Sequence, residues 1–274
     1  MSKILAFSGR KQSGKNTLCN FLHGYQLKAY GIIDSFDITQ EGELVIETLI
    51  VDDTGKTQIG KGLIDVCRVD MEFAVWAMDN VWPFIKHYAF ATIIKEIGIG
   101  LFELPKELMY GTDEEKNGLT QYSWENMPTK VKGKTGKMTG REFMQYFGTE
   151  ICRKIYPNIW TDKAIKDILA EQPNIAVISD ARFENEISAI KKAGGKVIRL
   201  TRNSEKSTDN HASELDLDNY TDFDAVIDTE NLNIEESCMK LVEILNEWNW
   251  LSKDIVIENP PQKESKRQSV MSIK

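Results

Sequence analysis

Gly9-Arg10-Lys11-Gln12-Ser13-Gly14-Lys15-Asn16-Thr17 is the stretch that decides the fold of this 274-residue chain. It follows the apolar run Ile4-Leu5-Ala6-Phe7 and precedes Leu18, Phe21, Leu22 and Tyr25, which recur at helical spacing. Gly9 and Gly14 let backbone N–H groups wrap round a phosphate, the following helix adds the positive end of its dipole, and Lys15 adds a full charge. The string alone arises by chance in roughly one chain in twelve of this length, so the strand before it and the helix after it carry the weight. It reads as a phosphate-binding loop whose candidate contacts are Gly9, Ser13, Gly14, Lys15, Asn16 and Thr17. Asn16 stands where the usual loop has a serine or threonine that holds magnesium, and Thr17 comes one residue later.

Composition bounds what surrounds this loop. A hydrophobic content of 41% over 274 residues supports a substantial core, best met by one α/β domain with insertions. The net charge of −8 argues against stable binding to nucleic acid or an acidic membrane surface, so an anion site must be a local basic cluster. Cys19, Cys67, Cys152 and Cys238 show no paired spacing and read as small core residues of a reducing compartment. The first strand begins almost at the N-terminus and no apolar run is long enough for a membrane span. The expectation is a cytoplasmic protein with no membrane partner.

Residues 37–69 read as an inserted β-hairpin or meander, with strands over 43–50, 57–59 and 63–69 around the turn Asp52-Asp53-Thr54-Gly55. No chemistry is evident in it. Ile85 to Phe90 reads as a strand, and Lys95 lies early in the helix that follows, near the sheet edge where open α/β sheets bind ligands. A solvated helix lysine is the alternative there. The polar loop Tyr110 to Asn117 could shape an acceptor site. Residues 128–141 carry Lys130, Lys132, Lys134, Lys137 and Arg141 with no acid, which predicts a mobile, lid-like basic loop drawn to a polyanion.

Thr139 and Glu142 have capping-box spacing, and Phe143, Phe147, Ile151 and Ile155 form an expected buried stripe, with Arg141 and Gln145 on the neighbouring face. Ile175-Ala176-Val177-Ile178 is a buried parallel strand ending in Ser179-Asp180. An acid in that position beside a phosphate loop serves to hold magnesium through water, and Arg182 and Glu186 flank it. Arg202 leaves the next strand at the same edge and is a candidate for the nucleotide side. His211 with Ser213 and Glu214 lacks a third partner and reads as a loop or cap residue. Residues 258–274 are polar and read as a disordered tail, which leaves 1–257 as a single domain.

Together these stretches resemble a known family. Gly14-Lys15-Asn16-Thr17, Phe90-Ala91 with Lys95-Glu96, Arg141 with Gln145 through Glu150, and above all Asp180-Ala181-Arg182-Phe183-Glu184-Asn185-Glu186 are similar to the deoxynucleoside monophosphate kinases of tailed bacteriophages, members of the P-loop kinase superfamily. The Gly-Lys-x-Thr ending is the form found in nucleoside monophosphate kinases. The resemblance implies a parallel sheet flanked by helices, ATP with Mg2+ as donor, and a deoxynucleoside monophosphate as acceptor. It implies catalytic roles for Lys15, Arg141, Asp180 and Arg182, acceptor contacts from Lys95, Arg141, Gln145, Arg182 and Glu186, and donor contacts from the loop and Arg202. Asp180 and Thr17 would hold the metal. The number of subunits stays open, a homodimer included. Two other readings stand beside it: a kinase for another small phosphorylated acceptor, of the dephospho-coenzyme A or phosphomevalonate type, and a non-catalytic nucleotide-gated protein that grips nucleic acid with the basic loop.

Overall fold

The computed structural model describes residues 2–51, 55–68, 71–202 and 216–251. His211, Ser213 and Glu214, residues 52–54 of the expected turn and the tail 258–274 lie outside them. Strands β1 (Lys3–Ser8), β5 (Ile85–Tyr88), β8 (Ile175–Ala181), β9 (Lys196–Thr201) and β10 (Ala225–Asp228) form a parallel sheet in the order β10-β9-β1-β8-β5. In β1 and β8 the continuous apolar runs Ile4-Leu5-Ala6-Phe7 and Ile175-Ala176-Val177-Ile178 reflect burial on both faces. Along β1, Leu5 and Phe7 join one core cluster, while Ile4 and Ala6 join the other. The first cluster also takes residues of α1 (Lys15–Ala29) and α9 (Ile234–Glu247), the second those of α7 (Ile159–Glu171) and α8 (Glu184–Lys192). The sheet flanked by helices is the expected P-loop kinase-type architecture.

The insertion is a three-stranded antiparallel meander of β2 (Phe36–Ile38), β3 (Leu44–Val51) and β4 (Thr57–Ile64). One strand runs where two short ones were expected, because Gly60 and Gly62 are tolerated within a two-strand ladder opposite Thr48 and Ile46. Cys19, Cys152 and Cys238 are buried, whereas Cys67 is exposed, contrary to its expected place in the core. Among the described residues no helix is long and apolar enough to cross a membrane.

A third apolar cluster, containing Met109, Trp124, Met138, Phe143 and Tyr146, lies under a two-stranded arm of β6 (Leu119–Ser123) and β7 (Lys137–Thr139). The basic loop is the connection within this arm. Its charges are partly met from just outside the stretch: Lys134 pairs with Glu142 at 2.5 Å and Lys130 donates to the Glu125 carbonyl. The capping box forms at the start of α6 (Gly140–Gln145), with Thr139 and Glu142 exchanging hydrogen bonds. The chain then continues as a π-helix over Tyr146–Arg153. Phe143 is buried and Phe147 and Ile151 pack against the third cluster, but the wider i→i+5 winding departs from four-residue spacing and the expected stripe ends before Ile155. Phe143, Tyr146, Gly148 and Cys152 are buried, and Ile155 is 78% exposed.

Candidate active site

The phosphate loop leaves the C-terminal end of β1, the strand at which the chain switches sides of the sheet. A Cβ at Gly9 would come within 2.4 Å of Ser13 Oγ and 2.8 Å of the Leu200 carbonyl. Gly14 has φ +89, a left-handed conformation that glycine adopts without strain, and α1 starts at the next residue. Thr229, after β10, donates its hydroxyl to the Ser13 carbonyl at 3.0 Å and pins the loop from the far side. Lys15 Nζ donates to the carbonyls of Gly9 at 2.7 Å and Arg10 at 2.6 Å. Burial pushes Lys15 down to about 7, and Arg182 and Arg199 push the same way, while Asp180 partly offsets them.

Beside β1, a register shift lets Ser8 pair with Ala181 although Ala6 pairs with Ile178. One residue of β1 thus faces two of β8, a bulge at Ser179-Asp180 that re-aims their side chains. Asp180 accepts from the backbone N–H groups of Phe90 at 2.9 Å and Ala91 at 3.0 Å, the start of α3 (Ala91–Gly100). Each oxygen keeps a free lone pair. His87 Nε2 lies 2.7 Å from Ser179 Oγ, and burial followed by the Lys95 charge lowers His87 to about 4, which keeps its ring neutral at pH 7.

A cavity of about 720 Å³ opens at this edge. Every expected site residue except Gly9 lines it: Ser13, Gly14, Lys15, Asn16, Thr17, Lys95, Arg141, Gln145, Asp180, Arg182, Glu186 and Arg202. Gly9 lies beneath as an acceptor for Lys15. Arg141 is the only residue of the 128–141 stretch among the lining residues, so the lysines of the basic loop stand outside the cavity wall. Lys95 lies 4.5 Å above the Tyr110 ring, and burial lowers its pKa against the pull of Asp180. Tyr110 lines the cavity with Asp113 and Lys116, as the polar loop at 110–117 allowed.

Several partners of these residues escaped the sequence. Asp113 bridges Lys11 of the phosphate loop at 2.8 Å and Arg141 of α6 at 2.6 Å, tying the two sides of the cavity together. Burial works against its ionisation, but Lys11 and Arg141 hold its carboxyl below the ordinary range. Arg153 of the π-helix pairs with Glu186 and stacks 4.0 Å over the Phe183 ring. Glu186 also accepts from the N–H groups of Arg182 at 2.7 Å and Phe183 at 3.1 Å, which anchors α8 and the strand end that carries Asp180. A buried acid implies a cation, yet no local spacing connects it to Arg153. For Thr229 the only signal was its place at a strand's C-terminal end.

The donor set around Asp180 is sparse. Among the described residues no group of three or more His, Cys, Asp or Glu side chains could hold a metal ion. One carboxylate with a lone pair on each oxygen suits a magnesium ion that keeps its water and arrives with phosphates, while the Thr17 hydroxyl lies against Gly42.

Sheet order, the glycine-bounded loop and a cation-lined cavity at the switch strand define the class of fold, the P-loop kinase-type architecture. The family model for deoxynucleotide monophosphate kinase matches residues 85–240. A protein of Acanthamoeba polyphaga mimivirus named "Putative deoxynucleotide monophosphate kinase" is 31% identical over 170 residues, covering 58% of this chain and 81% of its own length. The chain belongs to the deoxynucleotide monophosphate kinase family. The relative is viral, and the matches do not single out the bacteriophage branch that the motifs resemble.

Proposed function

We propose that this protein transfers the γ-phosphoryl group of ATP to a deoxynucleoside monophosphate, giving the diphosphate and ADP. The observation that carries the reading is that one cavity is lined both by the phosphate loop with Lys15 and by three further cations, Lys95, Arg141 and Arg182. Two anions can therefore be held end to end. Phosphoryl transfer asks a protein chiefly to align donor and acceptor and to neutralise charge spreading over the transferred group. The turn from Gly9 to Lys15 holds the donor phosphates, and Arg202 borders the nucleotide side. Arg141, Arg182 and Lys95 meet the acceptor phosphate, with Gln145 beside them, while Glu186 acts through Arg153 and the Arg182 backbone. Bound Mg2+ supplies neutralising charge at the donor phosphates, and Asp180, through water, and Thr17 are the groups that would hold it. No general base is required, since the acceptor phosphate is already ionised at neutral pH. In this reading 1–257 is one kinase domain and the 128–141 loop is its lid, which excludes water as a competing acceptor.

Incubation with ATP, Mg2+ and each common nucleoside monophosphate, deoxy and ribo, tests this. Acceptor-dependent ADP formation with one or more deoxynucleotides is expected; ATP binding without turnover of any deoxynucleotide would overturn it.

A pH dependence follows from Lys15. With its pKa near 7 the free lysine is largely neutral at pH 8, and a polyphosphate favours the charged form. Binding must then take up protons, so affinity for ATP falls as pH rises above 8. Calorimetry at pH 8 in two buffers of different ionisation heat should register net uptake. Zero uptake would mean that Lys15 is already charged before the nucleotide arrives.

A further inference from the structure

The inserted meander is outside the stretch that the family model matches, yet it reaches the cavity. Gln40 and Glu41, in the turn between β2 and β3, are lining residues. The turn is rigidly built: Thr39 Oγ1 accepts from the N–H groups of Glu41 and Glu43, each at 3.2 Å, and the Gly42 N–H donates to the Thr39 carbonyl at 2.9 Å. It is also docked on α1. Asn20 donates to the Gly42 carbonyl at 2.8 Å, and a Cβ at Gly42 would meet Thr17 Oγ1 at 2.2 Å, so only glycine allows this approach.

The turn thus sets two polar side chains beside the first helical turn of the phosphate loop. The other carboxylates lining the cavity have partners in the protein: Asp113 in Lys11 and Arg141, Asp180 in two amides, Glu186 in Arg153. Among the described residues, Glu41 and Gln40 have no side-chain hydrogen bond or ion pair. An unpaired carboxylate repels phosphates and accepts from N–H or O–H donors, whereas a carboxamide both donates and accepts. The part of a nucleotide with that chemistry is its sugar and base, not its phosphates.

We propose that the turn of residues 39–43 forms a wall of the acceptor-nucleoside subsite, in which Gln40 and Glu41 determine which nucleoside monophosphates are accepted. The proposal rests on the kinase reading above for its acceptor. It gives the insertion a role: selectivity is carried by a segment grafted beside a catalytic frame, so it can change without disturbing Lys15, Asp180 or Arg182.

The test compares wild type with Gln40→Ala, Glu41→Ala and Glu41→Gln. Binding of each deoxynucleoside and ribonucleoside monophosphate is measured by calorimetry, and turnover is measured with ATP. Both side chains are exposed, so the variants should melt with the wild type, and the isosteric Glu41→Gln tests the charge with the least disturbance. The ratio of affinities among acceptors should shift by roughly threefold for Gln40 and tenfold for Glu41, the span of hydrogen bonds to neutral and charged groups, with the KM for ATP unmoved. Unchanged ratios in all three variants, or a KM for ATP that moves in step with the acceptors, would overturn the wall. Altered binding ratios in a protein that turns over no deoxynucleotide would keep the wall and overturn only the kinase reading. Wild-type protein that binds no nucleoside monophosphate would overturn both.

Discussion

Lys15→Ala should cut kcat/KM by about a thousandfold or more while the protein keeps its fold. Removing a single preorganised charge donor from a phosphoryl- or acyl-transfer site costs on the order of a hundred- to a thousandfold, and Lys15 supplies a whole charge in a site 8% exposed. A thousandfold corresponds to about 4 kcal/mol of transition-state stabilisation. The fold should not suffer, because burial already works against this ammonium. A lysine whose folded pKa is depressed to about 7 destabilises the native state below pH 7, and the cost fades as pH climbs towards the unfolded value of 10.5. Alanine removes that cost and forfeits hydrogen bonds to two loop carbonyls. At pH 7 the melting midpoint should therefore stay level or rise. Turnover close to wild type would remove the phosphate-loop assignment, and a large fall in midpoint would mean that Lys15 is structural.

The second large effect concerns stability. Arg153→Ala leaves Glu186, 1% exposed, without its cation, and breaking a buried ion pair from one side typically costs about 3–5 kcal/mol. The sign with pH is specific. Burial raises Glu186 to about 7 even though Arg153 and the backbone amides favour its ionised form. Between the unfolded value of 4.5 and about 7 the native state binds more protons than the unfolded chain, so stability falls as pH rises. Without Arg153 the folded pKa climbs further and the fall continues to higher pH. The deficit of the variant against wild type should be smallest near pH 5 and grow towards pH 8, read by urea denaturation at both. An equal deficit at the two pH values would show that Arg153 acts through its packing on Phe183 rather than its charge.

How much of this was legible depended on distance along the chain. Loop, following helix, the capping box at Thr139, and the strands that carry Asp180 and precede Arg202 are set by neighbours within a few residues, and all of them formed. The stripe from Phe143 held through Ile151 and failed at Ile155, because a π-helix changes the spacing on which the pattern rests. The basic loop looked unneutralised because Glu142, which pairs with Lys134, lies just outside it.

From its sequence alone the chain was committed to a glycine-bounded loop between strand and helix, a parallel α/β sheet and the set of residues that gather at one sheet edge, since apolar periodicity and turn chemistry are local. Only the tertiary structure decided what each of those residues touches: the helix amides for Asp180, Arg153 for Glu186, Thr229 for the loop, and the inserted turn against Thr17. These partners stand 90, 33 and 216 residues apart for the first three. Charge and hydrogen bonding act over a few ångströms of space, and which distant segments meet at that range follows from packing of the two faces of the sheet.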